Sequence, residues 1–278
     1  ELPPNILLTT AAAEALDSVE LVISAVPCQY MRSVWQKLAP HLPDDAAILT
    51  VTKGIENDTL LRPTEILAQL TGPHRSLGAL SGPTIARELA QQLPATAVVA
   101  SADLQLAKWA QQIFTRKFFR LYTNSDLLGV EIAGASKNVI ALAAGIIDGL
   151  GMGDNAKAAL LTRGLVEITR LGLALGAEEE TFAGLAGLGD LVTTCISPLG
   201  RNRHVGEQIG KGKKLQDIIS GMNAVAEGVA TTGSLTALAQ QHHVDMPITA
   251  KVHAVLFQAQ EPQQAISELM SRTPRPER

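Results

Sequence analysis

Hydrophobic and polar positions divide the chain into two unlike stretches. In the first, short apolar, β-branched runs recur at 21–26, 47–52, 76–80, 95–100 and 118–122. Several are apolar throughout instead of alternating, as strands buried on both faces are. Helical patterns separate them, over 30–38, 60–70, 85–93 and 104–114. Strand and helix in alternation predict a sheet with a parallel core and helices on its faces. After Asn124 the strand pattern stops, and helical patterns cover 128–150, 154–175, 215–222, 228–242 and 249–257. The change places a boundary near 124–128, between an α/β half and an all-helical half. Asp154 is the expected N-cap of the second long helix and Gly176 its expected stop.

The first long helical pattern carries one charge within its apolar stretch 132–147, Lys137. At helical spacing Lys137 shares a face with Ala133, Gly134, Ile140, Ala141 and Ala144, none of which can pair with an ammonium. Two readings follow. The side chain snorkels to water along its own stem, or the amine is buried with a depressed pKa. Desolvation lowers a lysine by up to roughly 3–5 units, which brings it into the working range of a general acid or base.

Composition narrows the class. A chain of 278 residues makes about two domains. With 46% hydrophobic but only 3% aromatic residues, the core is aliphatic and alanine-rich. A net charge of −4 gives no electrostatic ground for nucleic acid or an anionic membrane as partner. The two cysteines, Cys28 and Cys195, show neither metal-ligand spacing nor a disulfide framework, and read as reduced thiols of a cytoplasmic protein. No signal peptide pattern opens the chain. The apolar stretch 132–147 falls short of the roughly 20 residues a bilayer span needs, so no integral membrane segment is expected. The chain starts at Glu1 without methionine and leads quickly into a strand, so an absent N-terminal piece is expected.

Chemistry-bearing residues gather after the first three strands, in VPCQY (26–30), TKGIE (52–56) and SGPT (81–84). In a parallel sheet these turns share the carboxyl edge, where ligands of open α/β sheets bind. Lys53 is either a ligand cation there or a solvated loop lysine. Gly82 permits close backbone approach. Pro83 and Thr84 are expected to start a helix whose free N–H groups suit an anion; an ordinary cap is the alternative. In GLAGLGDLVTTC (184–195), Asp190 sits among glycines and leucines, where an acid is paired or functional. Thr194, four residues on, shares its helix face. Arg201 and Asn202 follow in GRNRH, arginine being suited to bidentate phosphate contact. Cys195 has no conspicuous histidine partner and reads as a small apolar residue. GLGMG (149–153) follows a helix instead of a strand, so it is not a dinucleotide turn. GKGKK (210–214) lacks P-loop spacing, and the basic cluster around Arg203 and Lys211 has no interleaved aromatics. Neither nucleic acid nor a metal is expected. Lys53, Gly82–Thr84, Arg201, Lys137 with its neighbour Asn138, and Asp190 together suit a small phosphorylated substrate. The chemistry they fit is proton transfer at a carbonyl or alcohol, with Lys53 lowering Lys137 further.

The ordered set VPCQ, TKGIE, SGPTIARELA, ASKNVIALAAGIIDGLGMGDNAKAALLTRG, GLAGLGDL, RNR and VAEG resembles the bacterial-type NAD(P)-dependent glycerol-3-phosphate dehydrogenases along essentially the whole chain. The resemblance implies an α/β plus α protein: a partial Rossmann-like, doubly wound sheet domain over 1–126, then an all-helical substrate and catalytic domain over 127–278. It implies reversible reduction of dihydroxyacetone phosphate to sn-glycerol 3-phosphate for phospholipid synthesis. NAD or NADP is the cofactor, NADPH being favoured, and a homodimer is the candidate assembly. Lys137 matches the family's catalytic lysine. Lys53 matches a lysine close to substrate and cofactor, Gly82 and Thr84 substrate contacts, and Ala86 a cofactor contact. Asn138 and Asp190 match polar groups around the reacting carbon, with Thr194 a supporting hydroxyl. Arg201 and Asn202 match the pair that holds the phosphate, Arg201 also reaching the cofactor. Val225 and Glu227 match contacts near the nicotinamide ribose, and Tyr30 the aromatic that packs near the cofactor. Gly200 stands where the family carries a hydroxyl residue, leaving only backbone contact with phosphate there. The family's opening strand, GxGxxG turn, helix and second strand have no counterpart before Glu1. Two other readings stay open: a phosphate-binding but catalytically silent fragment, and a related two-domain reductase of another small carbonyl or imine.

Overall fold

The structure is a computed structural model that describes residues 3, 5–222, 224–274, 276 and 277. One helical turn, α1 (Ala12–Ala15), precedes β1 (Leu21–Ser24) and α2 (Cys28–Leu38). There follow β2 (Ala47–Thr50), α3 (Pro63–Thr71), β3 (Leu77–Ser81), α4 (Ala86–Ala90), β4 (Ala95–Ala100), α5 (Leu104–Phe114) and β5 (Phe119–Asn124). The five strands lie side by side in chain order. β1, β2 and β3 are mutually parallel, β4 runs antiparallel to β3, and β5 is parallel to β4. The sheet is therefore mixed, and the expected parallel core holds for its first three strands and, separately, for its last pair. An antiparallel neighbour begins at the edge where its predecessor ends and needs no crossover. The connection through α4 thus stays at the carboxyl edge of β3.

Adjacent β2 residues serve opposite faces, as the period of two requires. Ile48 packs with Met31 and Trp35 of α2 and Ile66 and Leu67 of α3. Leu49 packs with Ala107 and Ala110 of α5 and with Val99 and Leu121. Helices on both faces make this a Rossmann-like, doubly wound unit.

Helices make up the remainder: α6 (Leu127–Gly149), α7 (Gly153–Leu175), α8 (Glu179–Ala183), a π turn at Leu185–Gly189, α9 (Asp190–Ile196), α10 (Arg201–Gly210), α11 (Leu215–Ser220), α12 (Glu227–Gln241), α13 (Pro247–Phe257) and α14 (Pro262–Met270). The sequence pattern did not anticipate α8, α10 or α14. α10 is RNRHVGEQIG, whose three charged residues and two glycines leave little apolar periodicity. Met152, not Asp154, stands at the N-terminus of α7, with Asp154 in the first turn, where a carboxylate favours the helix dipole. Gly176 ends α7 as expected, at φ +96°.

α6 is the core of this half. Every residue from Gly129 to Ile147 is buried, and α7, α9, α10, α12 and α13 pack around it. At 23 residues it is long and apolar enough to cross a membrane, which corrects the reading of 132–147 as too short. Its most apolar window is wholly buried inside the protein. Asp126 caps its start, Oδ1 accepting from the Gly129 N–H at 2.7 Å while Oδ2 accepts from the Thr181 hydroxyl at 2.7 Å.

α10 crosses α6 with backbone against backbone. A Cβ on Gly145 would lie 2.0 Å from the Arg203 carbonyl oxygen, and one on Gly206 would lie 2.0 Å from that of Leu142. Gly149 and Gly210 repeat the arrangement one turn on, at 2.3 Å from the Glu207 oxygen and 2.5 Å from the Ile146 oxygen. Small residues at i and i+4 on both helices permit this contact. The sheet half is joined to α6 by Glu131, whose carboxylate accepts from the Thr64 N–H at 2.9 Å, the Thr64 hydroxyl at 2.6 Å and Arg62 Nη1 at 2.5 Å.

Candidate active site

The π turn and α9 bring Asp190 beneath the carboxyl edge of the sheet, and there the two halves meet. Asp190 is 2% exposed. Its Oδ1 accepts from Lys137 Nζ of α6 at 2.5 Å, and its Oδ2 accepts from Lys53 Nζ, in the turn after β2, at 2.5 Å. One buried carboxylate thus holds two ammonium groups that are 84 positions apart in the chain. Lys137 also donates to Thr194 Oγ1 at 2.7 Å, and that hydroxyl donates to the Asp190 carbonyl at 2.6 Å. The helical spacing of Asp190 and Thr194 is what aims both at the same amine.

The electrostatics follow from this placement. Lys137 is 5% exposed, so it does not snorkel. Burial, followed by the like charge of Lys53, lowers its pKa from 10.5 to about 8, against the opposing pull of Asp190. Burial works to raise Asp190, but Lys53 and Lys137 outweigh it and hold the carboxyl below its ordinary value. Lys53 makes a second bond, to the Gly82 carbonyl at 3.3 Å, and Thr84 Oγ1 donates to the same oxygen at 3.1 Å. Gly82 sits at φ +142°, and a Cβ there would lie 2.8 Å from Ala97 Cα, so glycine is required. The helix expected at Pro83–Thr84 begins only at Ala86 and lasts five residues. A helix-dipole anion site is not built there, and Thr84 and Lys53 meet on the Gly82 carbonyl of the turn instead.

A second group of predicted residues gathers at the start of α10. Arg201 is exposed and donates from Nη1 to the Val225 carbonyl at 2.8 Å. Asn202 is buried, and its Oδ1 accepts from the Gly228 N–H at 3.0 Å. Gly228 in turn lies against α6, since a Cβ on it would stand 2.7 Å from the Asn138 carbonyl oxygen. The chain thereby links Asn202 to the residue next to Lys137. The Gly200 N–H donates to the Ser197 carbonyl at 3.1 Å, and a Cβ at Gly200 would lie 3.0 Å from the Thr194 carbonyl oxygen. Gly200 therefore offers close backbone approach, its own N–H being taken by Ser197. Glu227 at the start of α12 accepts from the Cys28 N–H at 3.2 Å, tying α12 to the first turn of α2. Tyr30 and Ala86 are exposed and contribute no hydrogen bond to this cluster.

Profiles for both parts of one family match the chain. "NAD-dependent glycerol-3-phosphate dehydrogenase N-terminus" covers residues 1–107, and the corresponding C-terminus covers 126–267. The chain is 51% identical to the glycerol-3-phosphate dehydrogenase [NAD(P)+] of Koribacter versatilis over 98% of its own length and 81% of that protein. It is 50% identical to that of Geobacter metallireducens over 100% and 84%. The chain belongs to the NAD-dependent glycerol-3-phosphate dehydrogenase family. The crystal structure of the Coxiella burnetii glycerol-3-phosphate dehydrogenase superposes on it with a TM-score of 0.90 at 38% identity, covering 94% of this chain and 79% of that one.

Within this dehydrogenase fold, sequence reasoning missed one residue at the cluster. Ser81, the last residue of β3, is buried with its hydroxyl 3.5 Å from Asp190 Oδ2. Its position at the carboxyl end of a strand was the available signal. The cysteines stay outside the chemistry: burial pushes the thiols of Cys28 and Cys195 up to about 12. Among the described residues no group of three or more His, Cys, Asp and Glu side chains is placed to hold a metal. A cavity of about 880 Å³ lies elsewhere, between α6, α7, α13 and α14, and is lined by none of the residues of this cluster.

Proposed function

We propose that this chain catalyses the NAD(P)-dependent, reversible reduction of dihydroxyacetone phosphate to sn-glycerol 3-phosphate, with Lys137 as proton donor and acceptor. The observation that carries the reading is the buried array Lys137–Asp190–Lys53. Reduction of a ketone leaves charge on its oxygen, and an ammonium with a pKa near the working pH is suited to supply the proton. Asp190 and Thr194 hold that ammonium in one orientation, and Lys53 keeps its proton labile. In the reverse direction the same amine receives the alcohol proton. Arg201, Asn202 and the tight turn at Gly200 take the phosphate. Lys53, Gly82, Thr84, Asn138, Asp190 and Thr194 surround the three-carbon body.

The donor set also fits a nicotinamide cofactor. Exposed Tyr30 and Val225 offer apolar surface, Lys53 and Arg201 offer charge for phosphate, and Glu227 offers an acceptor for hydroxyls. These residues and Ala86 would hold the group, which when bound supplies or accepts the hydride. In this proposal residues 1–126 serve the cofactor and 127–278 the substrate and proton chemistry, in a cytoplasmic homodimer for phospholipid synthesis. Sedimentation is expected to give twice the 29.4 kDa chain mass, and a single-chain mass at micromolar concentration would refute it.

The test is turnover. Dihydroxyacetone phosphate should drive oxidation of NADPH or NADH, while ketopantoate and pyrroline carboxylate should not. Lys137→Ala should lower kcat by about 10²–10⁴-fold with the circular dichroism spectrum unchanged. Retained turnover would remove Lys137 from its role. Calorimetric binding of glycerol 3-phosphate without cofactor oxidation would turn the reading to a silent binding module.

A further inference from the structure

We infer that Arg203 and Asp148 form a positioning pair that sets where Arg201 and Asn202 stand relative to Lys137, and so governs capture of the substrate's phosphate. The inference rests on the reading that Arg201 and Asn202 take that phosphate. Arg203 is the third residue of α10, directly after the two proposed ligands. Its Nη2 lies 2.6 Å from Asp148 Oδ2, near the end of α6. Asp148 also pairs with Lys157 of α7, so α6, α7 and α10 meet on one carboxylate. Glu207, one turn along α10, faces Arg203 Nη1 at 3.6 Å and pairs with Lys211. The Arg203 and Asp148 side chains are each only 16% exposed.

The crossing of α6 and α10 explains why such a pair is needed there. Its four glycines bring the backbones together with no side chain wedged between them. That fixes the separation of the helices. The side chains that oppose sliding and rotation of α10 lie farther along the helix, Val205 and Ile209 being buried in the core that α6 forms. The Arg203–Asp148 contact acts across the crossing, one residue from Asn202, and opposes both motions.

The pair is also imperfect as a source of stability. Arg203 Nε is buried without a hydrogen-bond partner, and Asp148 Oδ2 is close to Arg203 without a well-aligned hydrogen bond. A partly buried ion pair with orphaned atoms adds little stability and is better suited to fixing geometry. The first turn of α10 is also held by the Arg201–Val225 and Asn202–Gly228 contacts, which run to α12 and the segment before it, and by the close approach of the Arg203 backbone to Gly145 of α6.

The experiment compares dihydroxyacetone phosphate with dihydroxyacetone, which lacks the phosphate, in wild type, Arg203→Met, Asp148→Asn and Arg203→Lys. Arg203→Met and Asp148→Asn should each raise the KM for dihydroxyacetone phosphate about tenfold, with kcat within about twofold of wild type. Their kcat/KM for dihydroxyacetone should match wild type, and Arg203→Lys should recover most of the lost affinity. An unchanged KM, or an equal loss on both substrates, would overturn the inference, the second outcome marking the pair as merely structural. If Arg203→Met fails to fold, Asp148→Asn and Arg203→Lys decide the matter by the same two criteria. Wild type that does not turn over dihydroxyacetone phosphate would sink the functional reading itself, a different failure from insensitive variants of an active enzyme.

Discussion

At the scale of a residue, the question is why an amine should sit in the most buried helix of the protein. Lys137 has traded water for one carboxylate and one hydroxyl, and shares that carboxylate with a second cation. Burial and Lys53 together bring it to about 8. Below that value the ammonium form predominates and has a proton to give. Above it the amine predominates and can take one. The rate of ketone reduction should therefore fall as pH rises through about 8, and alcohol oxidation should rise over the same range. Lys53→Met removes the like charge that helps to depress Lys137, so both limbs should move to higher pH. Stopped-flow single turnovers would show it, and a profile unmoved by Lys53→Met would detach Lys53 from the tuning. The sequence announced Lys137 plainly, because a lone charge on an apolar helical face has few explanations. It flagged Asp190 for the same reason. That the two touch was not legible: 53 positions separate them, and no local pattern reports a contact across that distance.

At the scale of an element, periodicity located the strands and long helices to within a few residues, because burial writes its period into the sequence. It failed where burial is achieved without side chains. The α6–α10 crossing buries backbone through Gly145, Gly149, Gly206 and Gly210, and glycine registers in a hydrophobic pattern as a gap. Turn chemistry failed similarly at SGPT, where Pro83 suggested a helix start and the chain delays the helix to Ala86. The glycine crossing makes a sharp prediction. A methyl at Gly145 or Gly206 would fall 2.0 Å from a backbone oxygen that has nowhere to retreat. Gly145→Ala and Gly206→Ala should each destabilise by about 1–3 kcal/mol or more, the usual cost of overpacking. Gly233, within α12, has nothing within 4 Å of its Cβ position. Gly233→Ala should be neutral or stabilising, by up to about 1 kcal/mol. Urea titration of the three variants checks the contrast, and equal effects at all three sites would refute it.

At the scale of the whole molecule, the site exists only while the two halves hold their relation. Lys53 and Ser81 come from the sheet half, Lys137, Asp190 and Arg201 from the helical half. Polar contacts that cross between them include Lys53 and Ser81 to Asp190, the Cys28 N–H to Glu227, the Ser234 hydroxyl to the Ile55 carbonyl at 3.0 Å, Asn124 to the Thr181 hydroxyl, and Arg62 and Thr64 to Glu131. Glu131, six residues before Lys137, makes its contacts to Arg62 and Thr64, outside the proposed chemistry, which makes it a clean one to remove. Burial raises its pKa despite Arg62, so the site tolerates the carboxylate only through its three partners. Glu131→Ala would strand the N–H of Thr64 and leave Arg62 with Glu65 as its carboxylate partner, a loss expected to cost about 1–3 kcal/mol. The distribution of probes allows a further distinction. Both tryptophans, Trp35 and Trp109, lie in the sheet half, whereas most helix lies in the other. Fluorescence and far-ultraviolet circular dichroism therefore report different halves. In wild type their urea midpoints should coincide, because these bridging contacts couple the halves into one cooperative unit. In Glu131→Ala both midpoints should fall together. Fluorescence that moves while dichroism stays would mean that the halves unfold independently, and that the lysine pair is assembled by contacts other than these.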